Sequence, residues 1–369
     1  MTTRGGAPNG AGRPRTAATI GDVAAAAEVS VATAARALGD YGSVSASTKE
    51  RVRAAAQRLG YRPNHLARSM VTGSTRTLGV VVSDIENPFF SNALRGISDV
   101  AGEAGYEVVI VNTDEDAVIE RDAVRTLLER RVDGLLVSPA VDAEPGHLQR
   151  ALAGGTPVVL LDRLVLGVGG DSVGIDNRDA ARSATRRLVQ AGHVRIGLVT
   201  GDSAESHPKL ARVVGAGVQT AFGGTTGLRV AGYRDALLEA GLPLDPELLA
   251  AEGLRPEDAG RATRRLLELA DPPTALVGLD SLLTLGVLQA LDELGLRWPD
   301  DVSVIGFDDA DWTEAVSPPL TVLAQPVQDI GRTACELLLR RLRGHDGRPE
   351  HRWLPTSLVE RASVGPPRR

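Results

Sequence analysis

Residues Thr19 to Met70 read TIGDVAAAAEVSVATAARALGDYGSVSASTKERVRAAAQRLGYRPNHLARSM, and this stretch decides the fold. Thr19 can cap a first helix whose apolar stripe is Ile20, Val23, Ala24 and Ala27, spaced i, i+3, i+4, i+7. After a turn at Glu28 and Val29, Ser30 can cap a second helix. That helix carries Val31, Ala34 and Leu38 toward the first and presents Val31, Ala32, Ala35 and Arg36 near its N-terminal end. Small residues there let the backbone lie deep in a major groove, which is about one helix wide. Ser47 and Glu50 have capping-box spacing, and Val52, Ala55, Ala56 and Leu59 form a third stripe that Gly60 ends. Three helices this short bury little, so the expectation is a helix-turn-helix headpiece, residues 19–63, whose working part is its surface.

On the N-terminal side, residues 1–18 are rich in Gly, Pro, Ala and Arg and are expected to form a disordered tail. Arg13 and Arg15 could enter an A·T-rich minor groove, although a solvated tail is the plainer reading. On the other side lies PNHLARSM, where Asn64 can cap a helix of about two turns, too short to hold alone in water. Residues 64–76 therefore read as a hinge helix and linker. Residues 1–76 hold 11 Lys or Arg against 4 Asp or Glu, whereas the remaining 293 hold 30 against 43. A basic head on an acidic body confines phosphate binding to the N-terminal part.

From Thr77 the pattern changes. TLGVVVS, YEVVIVN, VDGLLVS and TPVVLLD read as buried parallel strands, with helices near residues 89–104, 117–131 and 145–154 between them. A second series follows: VRIGLVT, Leu249 to Glu252, TALVGLD and DVSVIGF. Two successive series predict two doubly wound α/β lobes with binding loops at the strand C-termini. Asn87, Phe89 and Phe90 follow the first strand, Asp162 and Arg163 the fourth, Asp280 follows TALVGL, and Asp308 follows VIGF. Aromatics suit the apolar face of a sugar ring, and carboxylates accept paired hydroxyl hydrogens, so the set points to polyol recognition. Phe90 serves equally well as a core residue.

TIGDVAAAAEVSVATAARAL, then VSASTKERV, LGYRPNHLARSM and TRTLGVVVSDIENPFF, resembles the lactose/galactose repressor family of bacterial transcription regulators, and the likeness continues to Arg361. The resemblance implies base reading by Val31, Ala32 and Arg36, with Ser30 and Thr33 near phosphates. The full set expected at DNA is Thr19, Ser30, Val31, Ala32, Thr33, Arg36, Asn64, His65, Ala67 and Met70. Met70 would be the wedge at a central CG step of a pseudo-palindromic operator bound by a homodimer. The resemblance also implies a periplasmic-binding-protein-like core over residues 77–369, with chain crossings near Asp176, Phe307 and Pro326. That makes the first lobe 77–176 and 307–326 and the second 177–306 and 327–365. Arg229 matches a position that contacts effector. Departures are Glu28 for a turn glycine, Ala35 for serine, Gly39 for asparagine, Leu279 for asparagine beside Asp280, and a longer connection between Gly201 and Arg229.

Other classes fit poorly. The two lysines, Lys49 and Lys209, stand outside any G-x-x-x-x-G-K context, and there is no G-x-S-x-G, no H-E-x-x-H and no Cys/His cluster of metal spacing. The expectation is a non-enzyme with neither cofactor nor metal. Asp308, Asp309 and Asp311 suit a cleft rim better than a cation site, and His193 and Cys335 read as structural. No apolar run approaches the roughly 18 residues of a membrane span, and no leader is evident, which fits a reducing cytoplasm. A solute-binding protein would share the core but not the headpiece. The expected activity is repression of transcription from operator DNA, controlled by a small-molecule effector, a sugar in the first instance, with a non-sugar effector or none as the alternative.

Overall fold

The computed structural model describes residues 18–39, 42–61, 73–140, 144–165, 167–201 and 224–368. The chain divides into two compact units, Met1–Thr75 and Arg76–Arg369. The expected hinge residues Asn64, His65, Ala67 and Met70 lie outside the described residues, as do the N-terminal arginines and most of the connection after Gly201.

The first unit holds α1 (Ile20–Ala26), α2 (Val31–Gly39) and α3 (Ala46–Leu59). Thr19 caps α1 through a reciprocal box with Asp22. Its core is Val23, Ala24, Ala27, Ala34, Ala37, Val52, Ala55 and Ala56. Two expectations change. Val31 is 51% exposed, and Ala34 with Ala37 makes the inward face of α2, because small side chains let the helices approach. The α3 cap is Ser45, not Ser47: its extended backbone precedes Ala46, and its hydroxyl accepts from the Thr48 N–H, so the helix starts earlier. Gly60, at φ 63°, ends α3 in the left-handed conformation that glycine adopts without strain.

The second unit is a pair of sheets. The chain first lays down β1 (Thr77–Val82), α4 (Pro88–Glu103), β2 (Glu107–Asn112), α5 (Ala117–Glu129), β3 (Gly134–Val137), α6 (Gly146–Ala153), β4 (Val158–Leu161) and β5 (Asp171–Ile175). It then builds the second lobe with α7 (Asn177–Gln190), β6 (Ile196–Gly201), α8 (Thr225–Glu239), β7 (Leu249–Glu252), α9 (Pro256–Leu267), β8 (Ala275–Gly278), α10 (Ser281–Glu293), β9 (Ser303–Phe307), α11 (Asp311–Ala315) and β10 (Thr321–Ala324). Last come α12 (Val327–Leu342), β11 (His351–Leu354) and β12 (Ser357–Val359). The strand orders are β11-β5-β4-β3-β1-β2 and β12-β10-β9-β8-β6-β7. Pairing is parallel except between β10 and β12. Central strands such as β3, β4 and β9 are buried on both faces, which is why they read as continuous apolar runs.

The crossing expected at Phe307 does not occur. Residues 308–320 return β10 to the second sheet, where Val322 lies opposite Gly306. Residues 307–326 therefore belong to the second lobe. Conversely α12 packs on α4, β3, β4 and β5, and β11 pairs with β5, so residues 327–354 belong to the first lobe. The crossings fall at Asp176, at Gln325–Pro326 and between β11 and β12. The physical reason is the apolar stripe Ile330, Ala334, Leu337 and Leu338 of α12, which needs the first sheet to be buried. Glycines let α4 and α12 touch: a Cβ on Gly96 would stand 2.1 Å from the Gln328 carbonyl, and one on Gly331 2.0 Å from that of Ala93.

Candidate functional site

All eight core residues singled out in the sequence, Asn87, Phe89, Phe90, Asp162, Arg163, Arg229, Asp280 and Asp308, line one cavity of about 130 Å³ between the two sheets. They meet because each follows the C-terminal end of a strand or, for Arg229, lies on α8 above them, where a doubly wound sheet places its loops. Asp84, Asp114, Glu115, Thr225, Leu254, Arg255, Leu282 and Gln325 also line it. Asp84, Asp114 and Glu115 follow β1 and β2, so the rule that picked out Asp162 would have found them. Gln325 follows β10, a strand too short to stand out in the sequence.

Several side chains are already engaged. The Asn87 side chain caps α4 by accepting from the Phe89 N–H (3.0 Å), and its Nδ2 donates across the cleft to Asp280 Oδ2 at 2.9 Å. That bond joins the lobes. Arg255 Nη1 makes a second bridge, to Glu86 at 2.7 Å. Arg163 forms a forked pair with Glu115 (2.6 and 2.8 Å) and donates to the Pro139 carbonyl, so most of its donors are spent before any ligand arrives. Arg229 donates from Nε to Asn177 Oδ1 at 2.8 Å and from Nη1 to the Leu279 carbonyl, and its guanidinium lies 4.3 Å from the Phe307 ring centre. Leu279, standing where asparagine is typical, is buried and contributes its backbone carbonyl. Phe89 and Phe90 are both buried and pack edge to face at 5.1 Å, so each serves core and cavity together.

Asp162 and Asp308 occupy matching places, just after a strand of each lobe, and both adopt positive φ, 63° and 68°. A non-glycine residue held there costs on the order of 1 kcal/mol. Burial raises the Asp162 carboxyl above the ordinary carboxylate range against the opposing pull of Arg229. Burial, with the nearby Asp280, raises that of Asp308 to about 7 despite Arg229. Asp308 accepts from Gln325 Nε2 at 2.7 Å. Asp162 Oδ1 and Gln325 Oε1 are buried without a hydrogen-bond partner among the described residues. Two orphaned acceptors in one cleft ask for donors from outside.

In the headpiece, Ser30 accepts from the Thr33 N–H at 3.1 Å, and Arg36 Nε donates to the Ala32 carbonyl at 3.2 Å. Val31 and Ala32 are exposed, and Arg36 is partly so. Glu28 takes φ 54°, the conformation a turn glycine would take freely. His193 is buried between Thr274, Ser303 and the Gly365 carbonyl, a structural clamp joining strand starts to the C-terminal segment. Cys335 is buried in the core. Among the described residues no group of His, Cys, Asp and Glu could hold a metal ion, and no helix is long and apolar enough to cross a membrane.

A helical unit of this pattern beside a two-sheet core is matched by known proteins over nearly the whole chain. Residues 19–64 match the model of the lacI family of bacterial regulatory proteins, and residues 185–364 match that of the periplasmic binding protein-like domain. The HTH-type transcriptional repressor CytR of Escherichia coli (strain K12) is 35% identical over 355 residues, covering 95% of this chain and 98% of CytR. The chain belongs to the lacI family. This lacI-family regulator also superposes on the lac repressor dimer bound to operator and the anti-inducer ONPF, with a TM-score of 0.79 and 26% identity over 95% of this chain and 100% of that one. A lacI-family regulator from Enterococcus faecium with bound ribose gives 0.68 at 29% identity, covering 79% of this chain and all of the other. The regulator is a DNA-binding protein of the repressor type, with a helix-turn-helix headpiece and a periplasmic-binding-protein-like core.

Proposed function

We propose that the chain acts as a homodimeric, cytoplasmic repressor that releases or holds a pseudo-palindromic operator according to a neutral, hydroxyl-rich effector in the interlobe cleft. The observation that carries the effector class is the charge of the cavity wall. Six carboxylates, Asp84, Asp114, Glu115, Asp162, Asp280 and Asp308, face three guanidiniums, Arg163, Arg229 and Arg255. Even with burial raising the Asp162 and Asp308 carboxyls, the other four outnumber the three guanidiniums, so the wall disfavours sugar phosphates, and the orphaned Asp162 Oδ1 and Gln325 Oε1 accept from hydroxyls. The Enterococcus relative with bound ribose supports the same class. The headpiece favours a regulator over a solute-binding protein.

At DNA, Ser30 and Thr33 would face phosphates while Val31 and Ala32 offer apolar contact to a thymine methyl. With Nε of Arg36 held by Ala32, bidentate contact to guanine falls to its two terminal amino groups. Asn64, His65, Ala67 and Met70 would form the hinge that kinks a central CG step, and lobe movement on effector binding would bias hinge pairing by about 1–3 kcal/mol.

The test has two stages at one stated salt concentration. Selection from a random DNA pool is expected to return a palindrome with a CG centre; return of no preferred sequence would sink the operator reading. Calorimetric titration with D-ribose, D-galactose and D-glucose, beside ribose 5-phosphate and glucose 6-phosphate, is expected to show heat with a neutral sugar and none with the phosphates. Tighter binding of a phosphate would overturn the effector class.

A further inference from the structure

The core begins at Arg76, and its backbone is strained there. Arg76 takes φ 53°, the left-handed conformation that a residue with a Cβ resists. The residue is exposed, yet it is held at both its backbone and its side chain. Asp133 Oδ2 accepts from the Arg76 N–H at 3.0 Å, and the Arg76 carbonyl accepts from the Glu107 N–H at 2.9 Å. The guanidinium lies 5.0 Å from the Tyr106 ring centre, a cation–π contact, and Nη1 donates to the Ala104 carbonyl at 3.4 Å. These partners come from three places in the first lobe: the turn before β3, the start of β2 and the C-terminal cap of α4.

The other end of α4 reaches the cleft. Asn87 caps its N-terminus and donates to Asp280 of the second lobe, while Ala104 caps its C-terminus and holds Arg76. With 16 residues, the helix separates these two ends by about 24 Å. Close backbone approach at Gly96 and Gly331 seats α4 against α12, so a displacement at the clasp is carried through the helix to its far end. A chain leaving through a freely rotating residue would absorb that displacement. One fixed at its N–H, its carbonyl and its guanidinium passes it on.

We propose that Arg76 is a positioning residue: it fixes the direction in which the chain leaves the core and, through α4, couples the Asn87–Asp280 clasp to operator binding. The proposal rests on the reading of the chain as a dimeric operator-binding repressor, because two half-sites at fixed spacing make the exit direction matter. The plainer role for Arg76, a cation that touches phosphates, would strengthen binding to every DNA alike.

The experiment follows the full-length chain by fluorescence anisotropy at one stated salt concentration, on the operator returned by selection and on a duplex of random sequence. Arg76→Ala is expected to weaken operator binding roughly tenfold, within the range of coupling between sites, and random-sequence binding by less than about threefold. Tyr106→Leu leaves every charge in place and should reproduce most of the operator loss, and the double variant should be no worse than Arg76→Ala alone. Asn87→Ala should change operator affinity severalfold in the wild-type background and have no effect in Arg76→Ala, where the link to the clasp is cut. Thermal melting should show Arg76→Ala as well folded as wild type, since the side chain is exposed. Equal losses on operator and random DNA would make Arg76 a phosphate contact and overturn the inference. Unchanged operator affinity in Arg76→Ala, or an Asn87→Ala effect that persists without Arg76, would overturn it too while leaving the operator reading standing. A selection that returns no preferred sequence would overturn both.

Discussion

Asp308 shows how much chemistry one position can concentrate. Its carboxyl, raised to about 7 by burial and by Asp280, is about half protonated near neutrality. A folded-state value above the unfolded one means that stabilisation is present below about pH 4 and lost as pH rises toward 7. Wild type should therefore lose stability between pH 5 and pH 8, by an amount bounded at about 3 kcal/mol for this group. Asp308→Asn should flatten that loss; urea unfolding at the two pH values checks it, and equal slopes for both proteins would show that Asp308 does not titrate there. Glu28 makes a different residue-scale case. It stands at φ 54° in the headpiece turn, and Glu28→Gly should stabilise the headpiece by about 1 kcal/mol while removing a carboxylate from the DNA side. Thermal melting and operator titration are the readouts. Arg36→Ala should weaken specific binding far more than non-specific binding, whereas equal losses on both DNAs would make Arg36 a phosphate contact.

Between elements, the contact that most constrains this fold is the crossing of α4 and α12. Backbone meets backbone at Gly96 and Gly331, so Gly96→Ala must push a methyl into the Gln328 carbonyl and should cost roughly 3 kcal/mol or more. Gly102→Ala, on the same helix with nothing within 4 Å, should be neutral or slightly stabilising. Comparing the two by urea unfolding separates close approach from helix propensity, and equal effects would refute the packing argument. The element scale is also where the sequence misled. α3 begins at Ala46 because Ser45 takes an extended backbone, and nothing in the composition of SVSAST distinguishes Ser45 from Ser47 as the cap. β5, β10, β11 and β12 do not stand out in the sequence, because runs of three to five residues show no period of their own and DSVGI and HRWL mix polar with apolar positions.

At the scale of the whole molecule, among the described residues Asn87–Asp280 and the Arg255 pairs with Glu86 and Asp84 bridge the two lobes besides the three chain crossings. The arginine bridge is substantially exposed, so Arg255→Ala should change stability by less than about 1 kcal/mol. Asn87→Ala removes a helix cap and a half-buried clasp together and should cost about 1–3 kcal/mol. Small-angle scattering of the two variants should show the larger opening for Asn87→Ala; the reverse order would place the main clasp at Arg255.

The sequence by itself determined what depends on short-range periodicity. The 3.6-residue stripes of residues 19–59, the apolar runs of the parallel strands and the polar residues that follow those strands specified a headpiece, two α/β lobes and the cavity side chains. Local spacing encodes all of these, because helix faces and strand ends are set within a few residues. Only the tertiary structure decided which lobe receives residues 307–354, since α12 can bury its stripe on either sheet until close packing at Gly96 and Gly331 selects one. It also decided which cleft residues are already engaged. Arg163 with Glu115, Asn87 with Asp280 and Trp353 beside Gly174 are pairs 48, 193 and 179 positions apart. No local pattern carries such pairings, because the energy that forms them appears only when the sheets are assembled.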